Sequence, residues 1–286
     1  MVKNKTFLGC VGVIVLALSA CSAPSGVSHD ASPESFQIAD MGSIHKADAV
    51  DHQAVEKVND IVLPPELVTK ALQKSAGSCM VSRGHVQRDW YYMPRSESVR
   101  DIVVPVPLSI EAARDTGYNS LKSMRAGERE KEYAFSDAEA KDYYGYEGGN
   151  SCQGQAWDKV FGDKELSALY FQTAKYMLPY VNAAITSEEA VAIDNEWSTC
   201  MKDKGYDYSS PSKAIVSVAN KPESQEVAIA DATCRDQVRF EERTEEILDA
   251  YMTTFLNDNQ ALLERVAQAK KNAEANAPNI LDGTAS

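Results

Sequence analysis

The stretch Trp197-Ser198-Thr199-Cys200-Met201-Lys202-Asp203-Lys204-Gly205-Tyr206, followed by Ser210-Pro211 and then Ala230-Asp231-Ala232-Thr233-Cys234, decides how this chain is built. Ala190, Ile193, Trp197, Cys200 and Met201 recur at three- and four-residue steps, which is one apolar face of a helix. The helix start is read at Thr186, whose hydroxyl can take an orphan N–H, with Glu189 three residues on. Lys202 and Lys204 lie where cations suit the negative end of the helix dipole. Gly205 suits the left-handed position just past a helix end. Ser210 and Pro211 read as the cap and first residue of a new helix. A Cys200–Cys234 bond across this turn closes a loop of about 34 residues and contributes roughly 4 kcal/mol by restricting the unfolded chain. The stretch is architectural and carries no catalytic pattern.

The N-terminus sets the compartment. Lys3 and Lys5 form a basic region, and Phe7 to Leu18 is an apolar run too short for an ordinary spanning helix. Leu18-Ser19-Ala20-Cys21 then matches a lipobox, and here the chain resembles bacterial lipoprotein precursors. The resemblance implies removal of residues 1–20 as a signal peptide and attachment of a lipid to the Cys21 sulfur. Cys10 leaves with the signal peptide. Removing two of the 29 basic residues leaves 27 against 42 acidic ones, a net charge of −15. So acidic a chain has no electrostatic footprint for nucleic acid. Anionic headgroups repel it, so the anchor at Cys21 is its expected link to the outer face of the bacterial cytoplasmic membrane.

Residues 21–60 are polar and poor in apolar side chains, and read as a lipidated flexible tether with a reach of about 35 Å. His29, His45 and His52 lie in it at spacings that fit no metal-ligand pattern. Residues 61–286 read as a single helical domain of two related cysteine-bearing halves, about 61–162 and 163–277.

A repeat supports that division. Pro64-Pro65-Glu66 opens a helix that runs to Cys79-Met80 and Gly84, matching Cys200-Met201 and Gly205. Each cysteine sits in the last turn of a helix closed by glycine, and each is followed by a later cysteine near a helix start, Cys152 and Cys234. Trp90-Tyr91-Tyr92 and Ile102 to Leu108 read as an irregular connection, because Pro94, Pro105 and Pro107 oppose both a helix and a central strand. Short helices follow: one over Ser109–Thr116, one from the capping box Ser136-x-x-Glu139, one carrying Cys152 and Trp157, and one from Asp163 that ends or kinks at Pro179. From Glu223 to Ala277 there is no Gly or Pro. Leu248, Tyr251, Phe255, Leu262, Val266, Ala269 and Ala273 form an apolar stripe there at near-heptad spacing. A continuous helix of this length would run about 80 Å. Asn257-Asp258-Asn259 is the expected break, and residues past Ala277 read as frayed. The stripe suits either packing back into a bundle or a protruding coiled-coil arm for a partner.

Four cysteines remain after lipidation, in an oxidising compartment, and four allow three pairings. The repeat favours Cys79–Cys152 and Cys200–Cys234. The order of lipobox, C-M-x-x-x-G at Cys79, R-x-x-G-Y from Arg114 to Tyr118, Gly148-Gly149 then Cys152, W-x-x-C-M-x-x-x-G-Y from Trp197 and A-x-A-D-x-x-C ending at Cys234 resembles a group of secreted proteins and lipoproteins of actinobacteria. The resemblance spans about residues 75–270 and departs from the pattern after Tyr92. It implies compartment, helical build and disulfides, and supplies no reaction.

No catalytic residue, metal site or cofactor is singled out. There is no G-x-S-x-G, no H-E-x-x-H and no phosphate-binding glycine loop. His85, the only histidine of the body, follows Gly84 and reads as exposed with no partner. Asp231 and Arg235 are spaced for an i,i+4 ion pair. Tyr118, Tyr143, Tyr144 and Tyr146, with Trp90 to Tyr92, read as gap fillers or as a platform for cell-wall glycan or peptide. The expected whole is a mainly α, disulfide-stapled bundle on a lipid anchor. Its first functional reading is an interaction or scaffold module for a membrane or envelope protein, docking through the long C-terminal helix. Envelope ligand binding is the alternative, with a cell-wall enzyme behind it.

Overall fold

The computed structural model describes residues 36–87, 99, 108–118, 135–145, 151–218 and 221–284, and they are mainly helical. After a 3-10 turn at Met41–Ser43 come α1 (Ala54–Val62), α2 (Glu66–Ser82), α3 (Ile110–Thr116), α4 (Asp137–Tyr144), α5 (Cys152–Phe161) and α6 (Lys164–Ile185). Then follow α7 (Glu188–Asp203), α8 (Pro211–Val218), α9 (Ser224–Val238), α10 (Phe240–Asp258) and α11 (Gln260–Leu281). No strand occurs among the described residues, and none of their helices is long and apolar enough to cross a membrane. The signal peptide, Cys21 and most of the connection expected at 90–108 lie outside the described residues.

Local chemistry accounts for most boundaries. Ser109, Ser151 and Asp163 each accept the N–H three residues on, and Ser136 with Glu139 completes a reciprocal capping box. Two expected boundaries move. The start of α7 is capped by Ser187, which accepts from the Ala190 N–H, while the Thr186 hydroxyl donates back to Asn182 O and closes α6. Helix α6 runs through Pro179 to Ile185 rather than ending there.

The helices α2 and α7 end in the same way. Gly84 and Gly205 have φ of +90° and +91°, where a side chain is strained although each has open space around it. The next residue's N–H reaches back to a methionine carbonyl in both, His85 to Met80 at 3.1 Å and Tyr206 to Met201 at 2.9 Å. These are the six-to-one bonds of a Schellman cap. In both, the cysteine one residue before that methionine is bonded to a second helix. Cys79 joins Cys152 with Cα atoms 5.5 Å apart, and Cys200 joins Cys234 at 5.7 Å. A further likeness appears only in the fold. Gln155 and Gln237, each three residues after the second cysteine, place Oε1 at 3.7 and 3.1 Å from the first cysteine's sulfur.

The pins serve two different apolar cores within one compact unit. The larger core takes residues from α1, α2, α5, α6 and α11 and from the C-terminal part of α10, with Leu72, Met80, Phe161 and Phe255 fully buried. The smaller one takes α3, α7, α8, α9 and Phe240, with Trp197 and Met201 fully buried. The cores therefore do not follow the expected halves 61–162 and 163–277. Helices α10 and α11 return to the first core and enclose the second within the sequence.

The C-terminal stripe folds back into the bundle. Leu248, Tyr251, Phe255, Leu262, Val266, Ala269 and Ala273 are all buried in the larger core, so no apolar arm projects from it. The helical run is broken at Asn259, where the side-chain amide donates to the Tyr180 hydroxyl and to Phe255 O. It is also broken at Arg239, in the left-handed region with φ +53°. Beyond Ala277 the helix continues through Pro278, with Ile280 buried and Lys74 Nζ donating to Leu281 O.

The tether begins to fold earlier than its polarity implies. From residue 36 on, the segment expected to be flexible lies on the body: Ile44, Ala54, Val55 and Val58 are buried. Its backbone is satisfied from α10. The Val55 N–H donates to Asp249 Oδ1 at 3.0 Å, the Asp51 N–H to Thr253 Oγ1 at 3.0 Å, and the Ala47 N–H to Ala250 O at 3.2 Å. Asp249 thus caps α1 from another helix, and burial pushes its carboxyl up from the ordinary range. Composition alone missed this because the partners lie some 200 residues away.

Candidate functional site

Residues of three separate motifs meet beneath the second pin. Tyr118 of R-x-x-G-Y donates its hydroxyl to Asp231 Oδ2 at 2.8 Å, and Trp197 Nε1 donates to Asp231 Oδ1 at 2.9 Å. Arg235 grips the same carboxylate in a fork, Nε to Oδ1 at 2.7 Å and Nη2 to Oδ2 at 3.0 Å. Asp231 is 0 % and Arg235 1 % exposed, so the pair is fully inside the protein. Burial opposes the Arg235 charge, but the Asp231 carboxylate outweighs it and holds the guanidinium above its usual pKa. Burial and the neighbouring Asp231 charge push the Tyr118 hydroxyl far up, so it stays a donor. Gly117 completes the motif. Its φ is +56°, and a Cβ there would lie 3.1 Å from Gln225 Cα. Each carboxylate oxygen accepts two hydrogen bonds, so this cluster holds α3, α7 and α9 together and leaves no lone pair for a ligand.

A separate cavity of ≈ 210 Å³ lies at the seam of the two cores. Ala184 and Leu248 of the larger core and Phe240 of the smaller one line it, and Ile247 packs against both cores. Helix α10 offers one face at four- and three-residue steps, Phe240, Thr244 and Ile247. Helix α8 contributes its first turn, Pro211 and Ser212, and α7 contributes Ala190 and Asp194.

Asp194 is the one charged residue among the described lining. It is half-buried and, among the described residues, has no hydrogen-bond or ion-pair partner. Burial pushes its carboxyl up to about 6, and the Lys213 charge offsets this only in part. Lys213 is occupied elsewhere, with Nζ 2.8 Å from Ser209 Oγ. The sequence carries a local signal for this residue. Asp194 stands four residues after Ala190 and three before Trp197, a carboxylate set into the apolar face of α7.

The other candidates are placed as follows. Cys79, Cys152, Cys200 and Cys234 are all in disulfides, and Cys21 lies outside the described residues. His85 is not partnerless: its Nε2 lies 2.8 Å from Asp142 Oδ2, and Arg83 Nη1 donates to Oδ1 of the same carboxylate at 3.1 Å. These two neighbours, His85 first, hold the Asp142 carboxyl below its ordinary range. Three of the aromatic residues expected as gap fillers or platform, Tyr118, Tyr143 and Tyr144, lie among the described residues, and Tyr144 is exposed with its ring edge-on to Tyr143 and Phe135. Tyr118 is buried on Asp231 and Tyr143 is buried against Phe135, while Trp90, Tyr91, Tyr92 and Tyr146 lie outside the described residues. No group of three or more metal-ligating side chains gathers among the described residues. No protein-family model, curated protein or solved structure matches the chain.

Proposed function

We propose that this chain is a lipid-anchored extracytoplasmic binding module that holds a small ligand in the cleft beside Asp194. One observation carries the reading: a half-buried carboxylate with no partner among the described residues, lining a cavity at the seam of two cores. Leaving a charge in that state costs stability, and a bound ligand can offset the cost. Pockets also favour boundaries between packed units. A single carboxylate, with no second titratable group in the described lining, can hold a ligand's charge and lacks the carboxylate pair that glycoside hydrolysis uses. The motifs of the actinobacterial lipoprotein group and the lipobox at Cys21 support placement at the outer face of the bacterial cytoplasmic membrane. The scaffold reading loses the docking face it was built on, because the C-terminal stripe is buried in the larger core.

A fragment screen read by backbone amide shifts tests the cleft: compounds that bind should move Ala190, Ser212 and Thr244 in a saturable way. A screen in which no compound moves these residues would remove the cleft from the account. The anchor is tested separately by Cys21→Ser, which should move the chain from the membrane fraction to the soluble one.

A further inference from the structure

We infer that the cleft takes a small aliphatic ammonium, its cation against the Asp194 carboxylate and its alkyl chain against Phe240, Ile247 and Leu248. The inference rests on the cleft being a binding site and adds the chemistry of what enters it.

Charge decides the first part. The one charged group of the described lining is negative and lacks a counter-ion, so an anion is repelled and a neutral molecule leaves the desolvated carboxylate as it was. A cation relieves it. The charge nearest enough to act on Asp194 from a packed element is Lys213 on α8, whose ammonium is held at Ser209 and does not reach ion-pair distance.

Donor count decides the second part. A primary ammonium brings three N–H donors. Asp194 can accept one or two, and the hydroxyl-bearing residues Ser210, Ser212 and Thr244 line the same cavity. The Thr244 hydroxyl spends its hydrogen on Phe240 O at 2.7 Å, which leaves its oxygen as an acceptor. A guanidinium carries five N–H donors and forks onto a carboxylate through only two of them, which leaves three to find acceptors, where an ammonium leaves one or two.

Size and wall decide the rest. At ≈ 210 Å³ the cavity is smaller than the pockets of about 300–1,000 Å³ that hold drug-sized ligands. Its remaining wall is aliphatic and aromatic. A chain of a few methylenes ending in an ammonium fills such a space, whereas a sugar ring would leave hydroxyls facing Ile247 and Leu248 without partners.

Binding is linked to ionisation of Asp194. With its carboxyl near pH 6, the ionised fraction falls about tenfold from pH 7 to pH 5, and affinity for a cation should fall with it. The experiment is a titration of the full chain, purified in detergent, with n-butylammonium, 1-butanol and butyrate, followed by amide shifts at Ala190, Ser212 and Thr244. The expected result is saturable binding of n-butylammonium alone, about tenfold weaker at pH 5 than at pH 7 and lost in Asp194→Asn. The pH series on the unaltered chain stands even if the variant fails to fold. Equal binding of 1-butanol, binding of butyrate, or n-butylammonium binding unchanged by pH or by Asp194→Asn overturns the ammonium inference and leaves the cleft standing. Silence from all three probes at these residues overturns both.

Discussion

The pinned pairs α2 with α5 and α7 with α9 share a cap, a disulfide and a glutamine beside the sulfur, and differ in what lies three residues before the first cysteine. In the first pair that residue is Ala76, fully buried in an apolar core. In the second it is Trp197, fully buried and donating to a buried Asp231–Arg235 pair. The same backbone device thus supports two interiors, one held by apolar contact and one by a saturated polar cluster. An apolar core tolerates repacking, whereas a buried ion pair requires each partner in place. The smaller core has less surface to bury, and its four-residue polar cluster fixes the angle at which α3 and α7 meet α9.

This contrast predicts unequal responses to single changes. The largest should come from Asp231→Ala, which strands Arg235 inside the protein and should cost about 3–5 kcal/mol in denaturant unfolding. A loss below about 1 kcal/mol would show that the cluster is not what holds the smaller core. Removing each disulfide by paired Cys→Ser changes should come next and be nearly equal. The sequence separations of 73 and 34 correspond to about 4 kcal/mol in each case in the chain-entropy model. A large disparity would mean that the pins are not equivalent despite their shared geometry. Gly84→Ala and Gly205→Ala should each cost roughly 1–2 kcal/mol through the left-handed backbone alone, since neither glycine has a close neighbour. Unequal costs at these two positions would sharpen the contrast by revealing a tertiary demand on one cap.

The smallest effect concerns the seam. Folding raises the Asp194 carboxyl from 3.8 to about 6, so the folded chain holds an extra proton between those values. Its stabilising contribution is complete below the lower value and is lost as pH rises through the upper one. Asp194→Asn carries no charge to lose. It should therefore match the parent near pH 4 and exceed it above pH 7, by about 1 kcal/mol once solvent screening of a half-exposed group is allowed for. Thermal unfolding across that range checks the sign; a variant less stable than the parent at pH 8 would show that the carboxylate has a partner in solution.

What the sequence disclosed follows a physical division. The caps, the glycine ends and the cysteine pairs were legible because residue type itself imposes the covalent or backbone state, as at Gly84, Gly205 and Ser136. The break at Asn259 was legible for the same reason, in an Asn-Asp-Asn cluster. Features set by distant partners were not. Arg239 adopts the left-handed region although Arg gives no local reason for it, and Phe240 beside it enters the smaller core. The segment before α1 looked like a tether because its N–H groups are satisfied by Asp249 and Thr253, which nothing in its own composition announces. The polar cluster was half visible: the Asp231–Arg235 spacing was clear, but its meeting with Tyr118 and Trp197 needed the fold. Asp194 was readable in principle as a charge on an apolar face, yet only the seam between the cores gives it a cavity.

The most direct measurement is the carboxyl carbon titration of Asp194 by NMR, assigned with Asp194→Asn. A midpoint near pH 6 is the result this account predicts, since it requires a partly desolvated carboxylate with no partner in an open cleft. A midpoint below about 4, within the ordinary aspartate range, would contradict it and leave the seam as packing without a site.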